Sequence, residues 1–313
     1  MKGLELSRAF FEAYGRPMLE QQFPALLPYL AVGRFGSGSE CFGYDDEISR
    51  DHDFEPGFCI FLPGEDVVDR RTAFLLERAY AKLPREFMGL RRSLVTPVGG
   101  ARQGVLRTSE FFSEKIGNSC GELSLYDWLR VPEYTLAECT NGALFLDNCG
   151  EVSAIRQRLA SYPHDVRCKK LAGNLLLMAQ AGQYNYSRCL AHGETAAAQL
   201  AINEFVNAAL AVIFLLNERY LPFYKWRFRA LRELPLLSDS ARVLEYLLCT
   251  PNDEDTAQEK QQLMEELAGQ VISLLQNQQL TEAICGDLEK HAYSVNDRIA
   301  DSQLRNMHIL AAV

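Results

Sequence analysis

Apolar residues recur at helical spacing from about Leu4 to Leu27, with a break expected near Gly15 and Pro17, where proline removes an amide donor. The pattern then shortens. Tyr29-Leu30-Ala31-Val32 reads as a strand, and so does Gly57-Phe58-Cys59-Ile60-Phe61-Leu62, which Pro63-Gly64 ends. Glu65 to Leu83 returns to helical spacing. Ser93-Leu94-Val95-Thr96-Pro97-Val98 predicts a further strand before Gly99-Gly100, within a mixed stretch from 88 to 106. Ser109 to Ile116 and Ser124 to Leu129 predict short helices, and Ala143-Leu144-Phe145-Leu146-Asp147 a strand closed by Asn148 and Gly150.

From Glu151 onward helical periodicity takes over. Helices are expected over Val152–Ser161, Val166–Ala181, Glu194–Arg219, Phe223–Leu234, Ser238–Leu248, Thr256–Gln276 and Thr281–Asp301, with no strand among them. The sequence therefore predicts an α+β chain, with a small mixed β-sheet domain and its N-terminal helix over residues 1–150 and an all-α helical bundle over 151–313. There is no internal repeat and no low-complexity segment.

Composition narrows the function classes. The 313 residues are 48% hydrophobic, enough for a substantial core, and the net charge of −9 argues against a surface that grips nucleic acid or an anionic membrane all over. The longest uninterrupted apolar run, Ala208–Leu216, is too short to span a bilayer, and the opening MKGLELSRAFFEAYGRPMLEQQF reads as an amphipathic helix rather than a signal peptide. Nine cysteines without CxxC pairs are read as reduced, buried thiols of a cytoplasmic protein, with no support for zinc.

The chemistry is concentrated in GSGSECFGYDDEISRDHDF, residues 36 to 54. If Arg50 to Phe54 is extended, Asp51 and Asp53 share one face and His52 points away as a packing residue. Two carboxylates about 4 Å apart repel by roughly 4 kcal/mol at an effective dielectric of 20, and a divalent cation relieves that repulsion. Magnesium, which takes oxygen ligands and the phosphates of a substrate, suits such a pair. Gly36, Ser37, Gly38 and Ser39 offer backbone donors and hydroxyls to those phosphates. Glu47, Ser49 and Arg50 are read as shaping the loop, with Arg50 also placed to touch phosphate. The competing reading is a solvated acidic loop. No Gly-Lys-Ser/Thr follows, so this is not a Walker A loop.

Gly36-Ser37 or Gly38-Ser39, followed by Asp51-His52-Asp53-Phe54, resembles the signature of the DNA polymerase beta-type nucleotidyltransferase superfamily. The longer string GSGSECFGYDDEISRDHDFEPGFCIFL is similar to an uncharacterised bacterial nucleotidyltransferase-like branch of it. The resemblance extends through Tyr126-Asp127-Trp128-Leu129, Phe145-Leu146-Asp147, Tyr162-Pro163 and Gln183-Tyr184-Asn185 to Tyr220-Leu221-Pro222-Phe223-Tyr224-Lys225-Trp226. It implies Mg2+-dependent transfer of a nucleoside monophosphate from a nucleoside triphosphate, with ATP expected, to the hydroxyl of a small-molecule acceptor. Asp51 and Asp53 would bind the metal, and the glycine-serine turn the distal phosphates. Active members carry a third carboxylate on a later strand. The matching slot, Gly104-Val105-Leu106-Arg107, holds Leu106 and Arg107 instead. Glu110, Asp127 and Asp147 are the substitutes, with Asp147, at a strand end, assigned to catalysis here.

In the helical half, Gln183-Tyr184-Asn185, Arg188, His192 and Lys225-Trp226 are polar or aromatic enough to line a cleft, and Lys225 is taken as the phosphate contact among them. A bundle beside a small catalytic sheet is similar to the arrangement in aminoglycoside nucleotidyltransferases. Asn203 and Asn207 share a helix face, and Leu200, Val206, Leu210 and Phe214 are expected in the core. Two other readings stay open: a nucleotide-binding or interaction module that has lost turnover, and nucleotide addition to RNA or protein. RNA is disfavoured because no continuous basic stretch supplies phosphate contacts.

Overall fold

The computed structural model of the chain describes residues 1–48, 55–92 and 103–313. Contacts divide it into two compact units, Met1–Leu123 with Val131–Ala160, and Ser124–Arg130 with Ser161–Val313. The architecture is α+β, with a small mixed sheet in the first unit and helices in the second.

The first unit opens with α1 (Gly3–Phe10), a wide π-turn at Phe11–Gly15 and α2 (Arg16–Gln22). The chain runs through the expected break. The wide turn ends just before Pro17, and Gly15 lies so close to the Phe58 ring that no Cβ fits there. Next come β1 (Ala31–Arg34), α3 (Ser39–Phe42), β2 (Cys59–Leu62) and α4 (Arg70–Ala81), whose start is capped by Asp69 accepting from the Thr72 amide at 2.7 Å. A small hairpin, β3 (Glu86–Phe87) and β4 (Leu90–Arg91), precedes β5 (Gly104–Arg107) and α5 (Thr108–Ile116). The predicted strand Ser93–Val98 lies outside the described residues. After α6 (Leu125–Arg130), which belongs to the second unit, come α7 (Glu133–Thr140), β6 (Ala143–Asp147) and α8 (Glu151–Arg158). No apolar periodicity announces α7, because it buries Thr135 and Glu138 along with Leu136 and Cys139 and so shows no clean apolar stripe.

The four strands lie in the order β5-β2-β1-β6; β2 and β6 run antiparallel to β1, and β5 parallel to β2. Alternation along β2 gives the sheet two different faces. Ile60 and Leu62 join Val32, Phe10, Phe11, Phe58, Leu76 and Tyr80 in one apolar core under the first two helices and α4. Phe61, on the opposite side, stacks on Phe35 at 4.7 Å and meets the edge of Phe111 at 5.5 Å.

In the second unit α9 (His164–Met178) passes through a π-turn at Ala179–Asn185 into α10 (Tyr186–Ala191), so the helix expected to end at Ala181 continues. There follow α11 (Thr195–Leu216), α12 (Arg227–Leu231), α13 (Ser240–Cys249), α14 (Glu254–Asn277), α15 (Leu288–Asp297) and α16 (Ser302–Asn306). With a mean hydropathy of 1.7 over its apolar window, α11 is long and apolar enough to cross a membrane, but 67% of that window is buried inside the unit, as in a core helix. Val206, Leu210 and Phe214 are core as expected, whereas Leu200, nearer the start of α11, is 69% exposed. All nine cysteines are free thiols, but Cys120, Cys149, Cys249 and Cys285 are exposed rather than buried.

Candidate functional site

Where β1 ends, the chain turns through Phe35-Gly36-Ser37-Gly38 into α3, and a cavity of about 140 Å³ opens beside it. The turn contributes Gly36, Ser37 and Gly38; β2 and β5 contribute Cys59, Leu106 and Arg107; α5 contributes Glu110, Phe111, Glu114 and Lys115. Pairing explains the convergence. Gly33 of β1 faces Cys59 at the start of β2, and Cys59 faces Gly104 at the start of β5, so the chain enters two strands at the end where β1 leaves the sheet.

Gly36 has φ +127, a region that side-chain-bearing residues seldom enter. Asn141 holds it there on both sides. Its Oδ1 accepts from the Gly36 amide at 2.9 Å, and its Nδ2 donates to the Gly36 carbonyl at 2.7 Å. Arg156 of α8 braces this clamp by donating to the Asn141 and Thr140 carbonyls at 2.7 and 2.9 Å, with its guanidinium 4.6 Å over the Phe35 ring. Among the described residues, none accepts from the amides of Ser37 and Gly38 or from the Ser37 and Ser39 hydroxyls. Ser37 and Gly38 line the cavity, so their donors are available there to an oxygen-rich ligand.

Beneath the turn, Arg34 and Glu40 form a buried pair, Nη2 to Oε1 at 2.7 Å and Nε to the same oxygen at 2.9 Å. Gly38 makes room for that carboxylate, which lies where its Cβ would be. Burial alone would pull the Arg34 guanidinium down, but the Glu40 carboxylate beside it holds it charged, above its ordinary value. Burial pushes the Cys59 thiol up to about 11 and Cys41 well above its ordinary value, so neither is a thiolate nucleophile at neutral pH. The other cations are also engaged. Arg107 donates to the Pro63 carbonyl at 2.7 Å, and Lys115 pairs with Glu138 at 2.6 Å. Glu110 and Glu114, one turn apart and exposed, keep no ion-pair partner among the described residues.

Gly36 to Ser39 thus form one structural feature, as the sequence reading expected, while Arg50, Asp51 and Asp53 lie outside the described residues. Asp147 is elsewhere. It pairs with Ala31, the first residue of β1, at the end of that strand opposite the glycine-serine turn. Its carboxylate accepts from the Gly150 and Ser153 amides at 3.1 and 2.7 Å and so caps the start of α8. Asp127 likewise caps α6 by accepting from Ser124, and its pKa is lowered by those hydrogen bonds. Of the three substitutes for the missing carboxylate, Glu110 alone lines the cavity. The slot strand itself is β5, beside β2, with Leu106 and Arg107 in place.

Lys225 belongs to the second unit, exposed, with its ammonium 5.0 Å over the Trp226 ring. Gln183 is spent on holding Glu265, Gly286 and Leu288 together, and Asn203 and Asn207 on bonds to Gln199 and Arg227. Arg34, Glu40, Asn141 and Arg156 were missed by the sequence reading. They come from four separate elements, and no local spacing signals their convergence.

Among the described residues, no three His, Cys, Asp or Glu side chains form a metal-binding group. The available cavity carboxylates, Glu110 and Glu114, are oxygen donors of the kind that suits magnesium rather than a softer metal.

Residues 128–227 match a family described as a domain of unknown function, DUF4037. Neither a curated protein nor a solved structure matches the chain.

Proposed function

We propose that the chain is a cytoplasmic, magnesium-dependent nucleotidyltransferase that moves a nucleoside monophosphate, AMP in the first instance, from the triphosphate to a hydroxyl of a small molecule. The observation that carries this reading is the turn after β1. Its Ser37 and Gly38 amides have no acceptor among the described residues, it is held open by Asn141, and it sits at the sheet end where β2 begins, downstream of Asp51-His52-Asp53. In this reading the turn takes the distal phosphates, Asp51 and Asp53 hold the metal, and Arg50 touches phosphate. When bound, magnesium would neutralise charge on the transferring phosphoryl group and orient it. The chain's own contribution is positioning. The Arg34–Glu40 pair fixes the floor of the turn, and Glu110 and Glu114 line the same cavity.

A second reading, a nucleotide-binding module without turnover, is favoured by one observation: β5 presents Leu106 and Arg107 where a third carboxylate would be expected. Incubation with labelled ATP, magnesium and a panel of hydroxyl-bearing acceptors separates the two. Label transfer that disappears in Asp51→Asn with Asp53→Asn supports the enzyme. Nucleotide binding without transfer to any acceptor supports the module, and absence of both removes the shared site.

A further inference from the structure

Arg71, Phe74, Leu75, Arg78 and Lys82 follow one another on α4 and its C-cap at i, i+3, i+4, i+7 and i+11, within about 100° of the helix circumference. Their opposite face is the one packed in the apolar core, through Ala73, Leu76, Ala79 and Tyr80. Phe74 is 57% and Leu75 50% exposed, the three cations are exposed, and Arg85 extends the line just past the helix. Among the described residues no carboxylate lies within ion-pair distance of Arg71, Arg78, Lys82 or Arg85. Arg70 is paired with Glu65, the Asp69 carboxylate near Arg71 is turned to the Thr72 amide as the helix cap, and Glu77, the acid on α4, sits about 60° beyond Phe74 on the flank of the stripe. In a chain of net charge −9, folding has assembled an unpaired basic stripe that the linear sequence does not show as a run.

We propose that this face docks single-stranded nucleic acid. Phosphates pair well with guanidinium groups, and an exposed ring beside them offers a base a stacking surface. Arg78 lies over the Phe74 ring, 6.0 Å from its centroid, so cation and ring are presented together. An anionic membrane fits less well. A membrane-surface helix buries an apolar centre line with cations at its margins, whereas here the cations run along the centre and Phe74 and Leu75 flank them. An acidic peptide would meet the charges but no groove for its apolar side chains. The proposal is independent of the nucleotidyltransferase reading, because α4 covers the Ile60 and Leu62 face of the sheet while the cavity opens on the Cys59 and Leu106 face.

The test is fluorescence anisotropy of a labelled twelve-nucleotide oligouridylate with the full chain at rising salt. Duplex of equal length, polyglutamate and phosphatidylserine vesicles serve as competitors. Three phosphate contacts predict a log–log salt slope of about −2, a loss of roughly 20-fold between 50 and 200 mM salt. Arg71→Gln with Arg78→Gln and Lys82→Gln should abolish binding with an unchanged melting temperature, since all three are exposed. Phe74→Ala should weaken binding roughly tenfold while leaving the salt slope in place. No binding at 50 mM salt overturns the proposal. So does a Phe74→Ala protein that binds like the parent, or equal competition by polyglutamate or vesicles, each of which would make the stripe a general polyanion or membrane surface. A triple-Gln variant that still binds would place the contact elsewhere.

Discussion

The two faces of the four-stranded sheet use the same strands for opposite ends. One carries Ile60, Leu62 and Val32 into a dry core sealed by Phe10, Phe11, Phe58 and Leu76. The other carries Cys59, Phe61 and Leu106 toward a cavity whose floor is a buried ion pair and whose rim carries acids. Period-two alternation puts a packed core and a cavity lining one residue apart. The first face is built by area and packing, the second by pairing and backbone conformation.

Substitutions should separate the two accordingly. The largest effect belongs to the dry face. Phe58→Ala removes a ring that meets Phe10, Phe11 and Tyr80 and should cost about 3–5 kcal/mol in chemical denaturation. On the cavity face, Arg34→Met alone should cost about 3 kcal/mol by stranding the Glu40 carboxylate, and Arg34→Met with Glu40→Leu should recover most of it. An additive double variant would show that the pair is not coupled.

Smaller effects sharpen the contrast. Gly36→Ala should cost about 1–3 kcal/mol although a Cβ there meets nothing, because the penalty is conformational. Stability should also fall in alkali. Burial raises Cys59 to about 11, Cys139 to about 12 and Tyr80 to about 12, so the unfolded chain loses these protons first. Their contribution is complete below the ordinary thiol and phenol values of about 8.5 and 10 and is lost as pH rises through the folded values. A melting temperature unchanged from pH 8 to 11 would contradict that burial. The smallest structural effect is expected for Ser37→Ala, within about 0.5 kcal/mol, with a measurable loss of triphosphate affinity.

Much of the fold was legible because its signals are local. Strand β6 falls on the predicted Ala143–Asp147, and the helical second half follows from periodicity. The glycine-serine turn was legible too, since Gly36 announces a backbone that only glycine tolerates well. The place of Asp147 was not legible, because a strand-end aspartate looks the same whether it serves chemistry or caps the next helix, and its hydrogen bonds to the Gly150 and Ser153 amides are what show the cap. The Asn141 clamp and the Arg34–Glu40 pair were illegible for a different reason. The clamp joins residues 105 apart, and the pair acquires its meaning from burial that follows tertiary packing.

In the proposed function, the turn after β1 holds the phosphates of a nucleoside triphosphate. A structure of the full chain with a nontransferable ATP analogue and magnesium measures it most directly. The expected result is distal phosphates on the Ser37 and Gly38 amides, with metal held by Asp51 and Asp53. A nucleotide bound away from the turn, or none bound at saturating concentration, would contradict it.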